Sequence, residues 1–207
     1  MATSARSQQT RQRLLAAAGA AFAERGFQAT TTRDIAAAAG MSPAAVYVHH
    51  ESKEELLHLI AEEGHLRTQA LVREAIASSE DPCEQLAAVM SAFAAFHAEQ
   101  HAVARVINYE LGSLSPDHLA QIQALRREIR RDVQEVVERG IATGAFDTPD
   151  PRMASMALLS LGIDIARWYG VEATWPPARI ADFYAGLALR MVGSTSAPPP
   201  NPRKENP

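Results

Sequence analysis

From residue 7 to residue 193 the apolar positions return every three or four residues, the period of an α-helix. Strict alternation, the mark of a half-buried strand, is almost absent. Leu14, Leu15, Ala18 and Phe22 share one face of a helix predicted over 7–25, and Gly26 ends it as a left-handed cap. Phe27 is expected to tuck under the head that these N-terminal helices form. Thr31, with Asp34 three residues on, forms a capping box that opens a short helix over 32–39, which Gly40 stops. Ser42 followed by Pro43 opens a helix of two turns, to His49 or His50. Ser52 with Glu55 opens a long helix over 53–78.

Further along, Asp81-Pro82 opens a helix over 82–100, a shorter one crosses 101–114, and Ser115-Pro116 opens the longest, over 116–143. That helix carries the apolar stripe Leu119, Ile122, Leu125, Ile129, Val133, Val136 and Val137. Opposite lies a charged set, Arg126, Arg127, Glu128, Arg130, Arg131 and Asp132, expected to be a solvated face because acids interleave with the arginines. Segment 151–169 is apolar around most of its circumference, and small residues in 177–192 permit close helix approach. Helices this apolar need partners on two sides. One is expected to be the core, and the other the same pair from a second copy, giving a homodimer joined through the last two helices as a four-helix bundle. The Pro-rich stretch 194–207 is expected to be disordered.

An all-α chain follows, with a three-helix head over 1–53 and a helical body over 54–193. Composition agrees: 47% of residues are apolar, enough for a packed core, and the 11 glycines and 12 prolines sit mostly at element edges or in the tail. No run is long and apolar enough to span a bilayer, so a cytoplasmic protein without a membrane partner is expected. The lone Cys83 has no cysteine partner, fits a reducing compartment and is expected to be a small buried hydrophobe.

Charge changes the picture of the head. The whole chain carries −4, yet residues 1–53 hold six basic side chains (Arg6, Arg11, Arg13, Arg25, Arg33, Lys53) against Glu24, Asp34 and Glu51, a net +3, leaving −7 on the remainder. Only the head is suited to phosphate. Two short capped helices about a glycine turn are the pattern of a helix-turn-helix, here 31–50, whose second helix lies in the major groove of double-stranded DNA. The exposed candidates there are Ser42, Pro43, Ala44, Ala45, Tyr47, Val48 and His49, while Ile35, Ala36, Ala37 and Val46 are expected to pack the head.

The run TTTRDIA from Thr30 to Ala36, the AGMSP turn from Ala39, Tyr47-Val48-His49 and Ser52-Lys53-Glu54-Glu55-Leu56 together resemble the DNA-binding head of the TetR/AcrR family of transcriptional regulators, over about residues 8–68. The resemblance implies a homodimer on a palindromic operator. It also implies that Thr32 donates to phosphate, that Arg33 reaches phosphate or a guanine edge, and that Tyr47, His49 and Lys53 hold phosphates. Pro43, Ala44 and Ala45 fall at base-reading positions and offer only apolar contacts, so DNA shape must supply part of the specificity. His50 stands where the family has a packing phenylalanine, so it either packs or turns to phosphate. Val48 replaces a larger polar residue.

For the body, the resemblance implies a small-molecule effector held between central helices whose binding releases DNA, and no cofactor. Candidate lining residues are Phe93, Phe96, His97, Val106, Asn108, Tyr109, Glu110, Asp164, Arg167, Trp168 and Tyr169. The ending F-D-T-P-D-P-R with R-W-Y resembles a branch that includes regulators of lipid, steroid and acyl-CoA breakdown, which makes a hydrophobic, acyl-CoA-like effector the first expectation. The Arg and Ala bias, with Lys53 and Lys204 the only lysines, suggests a GC-rich bacterial genome and fits that branch.

The competing reading is a helical small-molecule-binding or metal-carboxylate enzyme with a vestigial head. Glu55-x-x-His58 and Glu62-x-x-His65 each match half of a di-iron motif, but both lie on one predicted helix, whereas such a site draws on four. His97 and His101 have metal-compatible spacing, spoiled by the helix break expected near Gln100. No phosphate loop, nucleophile elbow or catalytic cysteine context is present. Neither a metal site nor catalysis is expected.

Overall fold

A computed structural model describes residues 2–50, 52–172 and 175–194, with side chains from residue 9 onward other than those of 48–49 and 171–172. Among them the chain forms α1 (Ala2–Arg25), α2 (Thr32–Ala38), α3 (Pro43–His49), α4 (Lys53–Ala77), α5 (Pro82–Glu99), α6 (His101–Tyr109), α7 (Pro116–Ala142), α8 (Pro151–Glu172) and α9 (Pro177–Met191). A short 3-10 turn, Leu111–Ser113, follows α6. The all-α expectation holds, with α1 starting before residue 7 and α8 running past 169. The stretch 195–207, most of the tail expected to be disordered, lies outside the described residues. No described helix is long and apolar enough to cross a membrane.

The chain divides into two compact units, and the first is Met1–Arg67 with Gln100–Arg127. The core of this unit joins Leu14, Ala18 and Phe22 of α1, Ile35 and Ala36 of α2, Val46 of α3, and Leu56, Leu57 and Ala61 of α4. Each such fully buried large side chain contributes roughly 1.5–3 kcal/mol. Val106, Ile107, Leu114 and Ile122 complete the same cluster. The compact unit therefore takes in residues beyond 53, since Val106, Ile107, Leu114 and Ile122 share its core. Polar ties reinforce the join: Arg105 donates to the Ala23 carbonyl at 3.0 Å, Gln28 to the Ser113 hydroxyl at 3.2 Å, and the Ser115 N–H to Glu54 at 2.7 Å.

Ala37, expected to pack, is exposed, since a seven-residue helix buries one face and Ile35 and Ala36 occupy it. Gly40 supplies the φ of +66° that the α2–α3 turn needs, and the Arg13 guanidinium closes α2 by donating to the Ala39 carbonyl at 2.8 Å. Arg126 is half-buried rather than fully on a solvated face, and burial lowers the proton affinity of its guanidinium.

The second unit comprises Thr68–Glu99 with Glu128 onward. Its core gathers Val72, Leu86, Val89, Met90 and Phe93 with Ile129, Val133, Val136 and Val137 of α7, Leu158 of α8, and Ala188 and Leu189 of α9. A side chain on Gly162 would collide with the Phe93 ring, so its absence lets α5 seat an aromatic against the backbone of α8. Cys83 is half-buried, its Sγ 3.4 Å from the Ser194 hydroxyl, not the fully buried hydrophobe expected.

Candidate nucleic-acid interface

The capping signals place the short helices. Thr31 has extended backbone and accepts from the Asp34 N–H, while the Asp34 carboxylate accepts from the Thr31 N–H at 2.8 Å and hydroxyl at 2.6 Å. Those bonds, from the Thr31 side chain first and its backbone next, hold the Asp34 carboxyl below its ordinary range. Ser42 caps α3, accepting from the Ala45 N–H at 3.3 Å. Ser52 does the same for α4 through the Glu55 N–H at 3.1 Å.

With those helices set, α2 and α3 present an exposed surface of mixed polar and small apolar residues. Thr32 is half-buried, Arg33, Ser42, Pro43 and Ala44 are exposed, Ala45 is half-buried, and Tyr47 is 57% exposed. The hydroxyls of Thr32 and Tyr47 lie 3.1 Å apart, so two expected phosphate contacts are already hydrogen-bonded to each other across the two helices. The Ser42 hydroxyl, by contrast, is engaged in capping. The side chains of Val48 and His49 lie outside those described.

Two further candidates, His50 and Lys53, make contacts within the head. His50 is only 2% exposed, with Nδ1 3.5 Å from Glu55 Oε1, a position that fits packing rather than an outward turn to phosphate. Lys53 points its ammonium at the turn between α1 and α2, donating to the carbonyls of Phe27 at 2.8 Å, Thr30 at 3.0 Å and Gln28 at 3.3 Å. Its Nζ also lies 4.4 Å from the Phe27 ring centroid. Nothing local in the sequence signals the lysine's placement, since the turn lies more than twenty residues away.

The histidines of the two Glu-x-x-His half-motifs, His58 and His65, are both buried. The His118 Nδ1 lies 2.9 and 3.0 Å from the two Glu54 oxygens, and its ring stacks on His58 with centroids 3.9 Å apart and planes 2° apart. Burial, and then the neighbouring His118, push the His58 proton affinity down. Burial works against the Glu54 charge, but the Ser115 N–H and His118 outweigh it and lower its pKa. His65 is buried with Nδ1 2.7 Å from the Ala61 carbonyl, and burial drops its pKa to about 4. Among the described residues no three His, Cys, Asp or Glu side chains gather to hold a metal.

The effector-lining candidates divide between the units. Val106, Asn108, Tyr109 and Glu110 belong to the first. There Val106 is core, Asn108 donates to its own helix at the Ala104 carbonyl, and Tyr109 is exposed. The other seven belong to the second. His97 Nδ1 lies 2.8 Å from the Phe93 carbonyl, with the Phe93 ring centroid 4.2 Å from its own and Phe96 edge-on at 5.6 Å. Trp168 and Tyr169 pack on Ala94, Ala98, Ile165 and Ile180 together with Tyr184, which no sequence motif singles out. Burial, then Asp164, raises the Tyr184 pKa. Arg167 pairs with Asp164 at 2.7 and 2.8 Å on a largely open surface.

Two short capped helices about a glycine turn, with Arg33, Ser42, Pro43, Ala44 and Tyr47 exposed, have the form of the helix-turn-helix of a DNA-binding regulator. The family models agree: residues 14–60 match the bacterial regulatory proteins of the tetR family, and residues 79–192 match the tetracycline-repressor-like C-terminal domain. The chain belongs to the TetR family, whose members regulate transcription and are not enzymes. It is 31% identical over 186 residues to the transcriptional repressor KstR2 of Rhodococcus jostii, covering 89% of this chain and 91% of that one. A tetR-family regulatory protein from Rhodococcus RHA1 shares the fold with a TM-score of 0.86 and 41% identity, covering 90% of this chain and 98% of that one. AibR, solved with isovaleryl coenzyme A and operator DNA, has a TM-score of 0.79 at 23% identity over 86% of this chain and 97% of that one, a likeness of fold alone.

Proposed function

We propose that this regulator is a homodimeric repressor that holds a palindromic operator and leaves it when a small hydrophobic effector, acyl-CoA-like in character, binds the body. The observation that carries the DNA half is the exposed face of α2 and α3, on which Thr32 and Tyr47 are hydrogen-bonded at 3.1 Å beside the exposed Arg33. Two such heads, related by a two-fold axis, read two half-sites. The homodimer reading is supported by the last two helices, where Met153, Met156 and Leu161 of α8 and Phe183 of α9 leave large apolar side chains exposed.

The effector half is supported by the aromatic group Phe93, Phe96, Trp168, Tyr169 and Tyr184 in the second unit, and by AibR, a protein of the same fold solved with an acyl-CoA bound. Repression rather than activation is supported by the relatives named repressors. For an effector to release DNA it must bind the DNA-incompetent form more tightly, by the coupling factor it exerts on operator affinity. Titrating short- and long-chain acyl-CoAs into a preformed protein–operator complex tests this. Release by an acyl-CoA at concentrations where free coenzyme A does nothing supports the reading, and no release by any of them removes it.

A further inference from the structure

Along α7 the buried stripe runs through Ile122, Ile129, Val133 and Val136, and Arg126 falls in the same register, four residues after Ile122 and three before Ile129. A guanidinium thus stands in an apolar stripe, where it is half-buried. Its own helix does not neutralise it. The residues three and four positions away are Ile122, Gln123, Ile129 and Arg130, with no carboxylate among them. Arg73, Arg105, Arg139 and Arg167 each donate to an oxygen of the chain, whereas Arg126 has no hydrogen-bond or ion-pair partner among the described residues.

The facing stretch of α4 changes character at the same point. Ala61 and Ile122 are the last buried members of the first unit's apolar cluster on their two helices, and one turn beyond Ala61 comes His65, itself buried. The His65 Nδ1 lies 2.7 Å from the Ala61 carbonyl, which can only accept, so Nδ1 carries the proton and Nε2 the lone pair. Burial, joined by the nearby Arg126 charge, keeps this ring neutral against the pull of that carbonyl. A neutral imidazole cannot balance a cation. Apolar surface adjoins the pair, since a side chain on Gly64 would collide with Ile107 of α6, which shares the cluster of Ile122.

We propose that Arg126, beside His65, receives the negative end of the effector, a carboxylate or phosphate oxygen carried on an apolar chain. This rests on the reading that a small molecule binds the body, and adds the charge which that molecule carries. A partly buried cation without a counter-ion costs free energy, and an oxyanion offsets that cost through charge-assisted, two-pronged hydrogen bonds to the guanidinium fork. Carboxylate and phosphate both match the fork. The adjoining isoleucines favour an amphiphile over a small inorganic anion.

Decanoate, decanoyl coenzyme A and decanol, each below its micelle concentration, are dialysed to equilibrium against the full-length wild type, Arg126→Met and Arg126→Lys. The wild type should hold at least one of the two anions about tenfold or more tightly than decanol. Preference for decanoate assigns a carboxylate, and preference for decanoyl coenzyme A alone assigns a phosphate. Arg126→Met should abolish the preference and leave decanol binding unchanged, while Arg126→Lys, which keeps the charge but loses the fork, should retain part of it. With no probe present, Arg126→Met should unfold about 2–4 °C above the wild type, because it removes an unpaired cation from an apolar stripe. A wild type without the preference, or a preference that Arg126→Met leaves intact, overturns the inference. Loss of the preference together with a lower unfolding midpoint makes Arg126 a stabilising side chain, which also overturns it. Operator release by an acyl-CoA without the preference leaves the effector reading standing alone, whereas neither release nor binding removes both.

Discussion

The Tyr47 hydroxyl on α3 lies 3.1 Å from the Thr32 hydroxyl at the start of α2, so the recognition helix and the helix that precedes it meet at an exposed hydrogen bond. A bond of this kind contributes little to folding in water, where both hydroxyls find other partners, about 0.5–1.5 kcal/mol at most. Its consequence is positional. Two hydroxyls are held at a fixed separation before DNA arrives, one of them with its hydrogen free to donate, which reduces the ordering that binding would otherwise require.

Tyr47→Phe keeps the ring and removes that bond. Operator affinity should fall about five- to tenfold, and by the same factor on a random duplex, because phosphate-directed contacts carry no sequence information. Parallel gel-shift titrations on the two duplexes check it. A change in which sequence is preferred, with overall affinity intact, would instead place Tyr47 on a base.

Arg33 is an exposed cation of α2, with a side chain able to make bidentate bonds to guanine. Arg33→Ala should erase about 1–3 kcal/mol of discrimination at one base pair in each half-site and leave the other positions unchanged. Sequencing the duplexes retained by the variant, and comparing them with those retained by the wild type, reads this directly. Unchanged preference assigns Arg33 to the phosphate backbone.

Much of the head is legible in the sequence. The caps at Thr31 and Ser42 and the glycine turn at Gly40 are local devices whose chemistry is written within four residues, and they place α2 and α3 within a residue. The Lys53 bonds to the 27–30 turn, the Arg13 cap on Ala39 and the Gln28–Ser113 bond are not legible. Each joins residues more than twenty positions apart, and no periodicity or motif encodes such a meeting. For the same reason the recruitment of Val106 and Ile107 to the core of the first unit leaves no mark in the sequence. Tyr184 escapes a reading by pattern because the small residues around it signal close helix packing and say nothing of its neighbours Trp168 and Ile165.

Acid should destabilise the first unit. The pKa of His65 is lowered to about 4 by burial, whereas an unfolded chain takes up its proton near pH ~6.5. Between those values the unfolded state binds the extra proton, so stability is full above about pH 6.5 and declines as pH falls toward about 4, by about 2–3 kcal/mol once relaxation of the folded state is allowed for. His58, lowered by burial and by His118, acts in the same direction. The Glu54 contribution, from a depressed carboxyl, is lost only at lower pH still. Urea denaturation across this range should show the decline, and His65→Gln should flatten it. An equal slope in the variant would assign the acid sensitivity elsewhere.

Gly162 admits the Phe93 ring where any side chain would collide with it. Gly162→Ala should therefore destabilise the second unit by about 1–3 kcal/mol through overpacking. Thermal unfolding measures it, and a variant as stable as the wild type would show that Phe93 can move aside at no cost.

The claim that the α2–α3 face meets DNA is tested most directly by the salt dependence of binding to the DNA flanking the protein's own gene. A discrete complex is expected at low salt, with log K falling linearly in log salt and affinity dropping by orders of magnitude between about 50 and about 200 mM. Arg33→Ala should make that slope shallower if its guanidinium meets phosphate. No complex at low salt, or a complex whose affinity ignores salt, would contradict the claim.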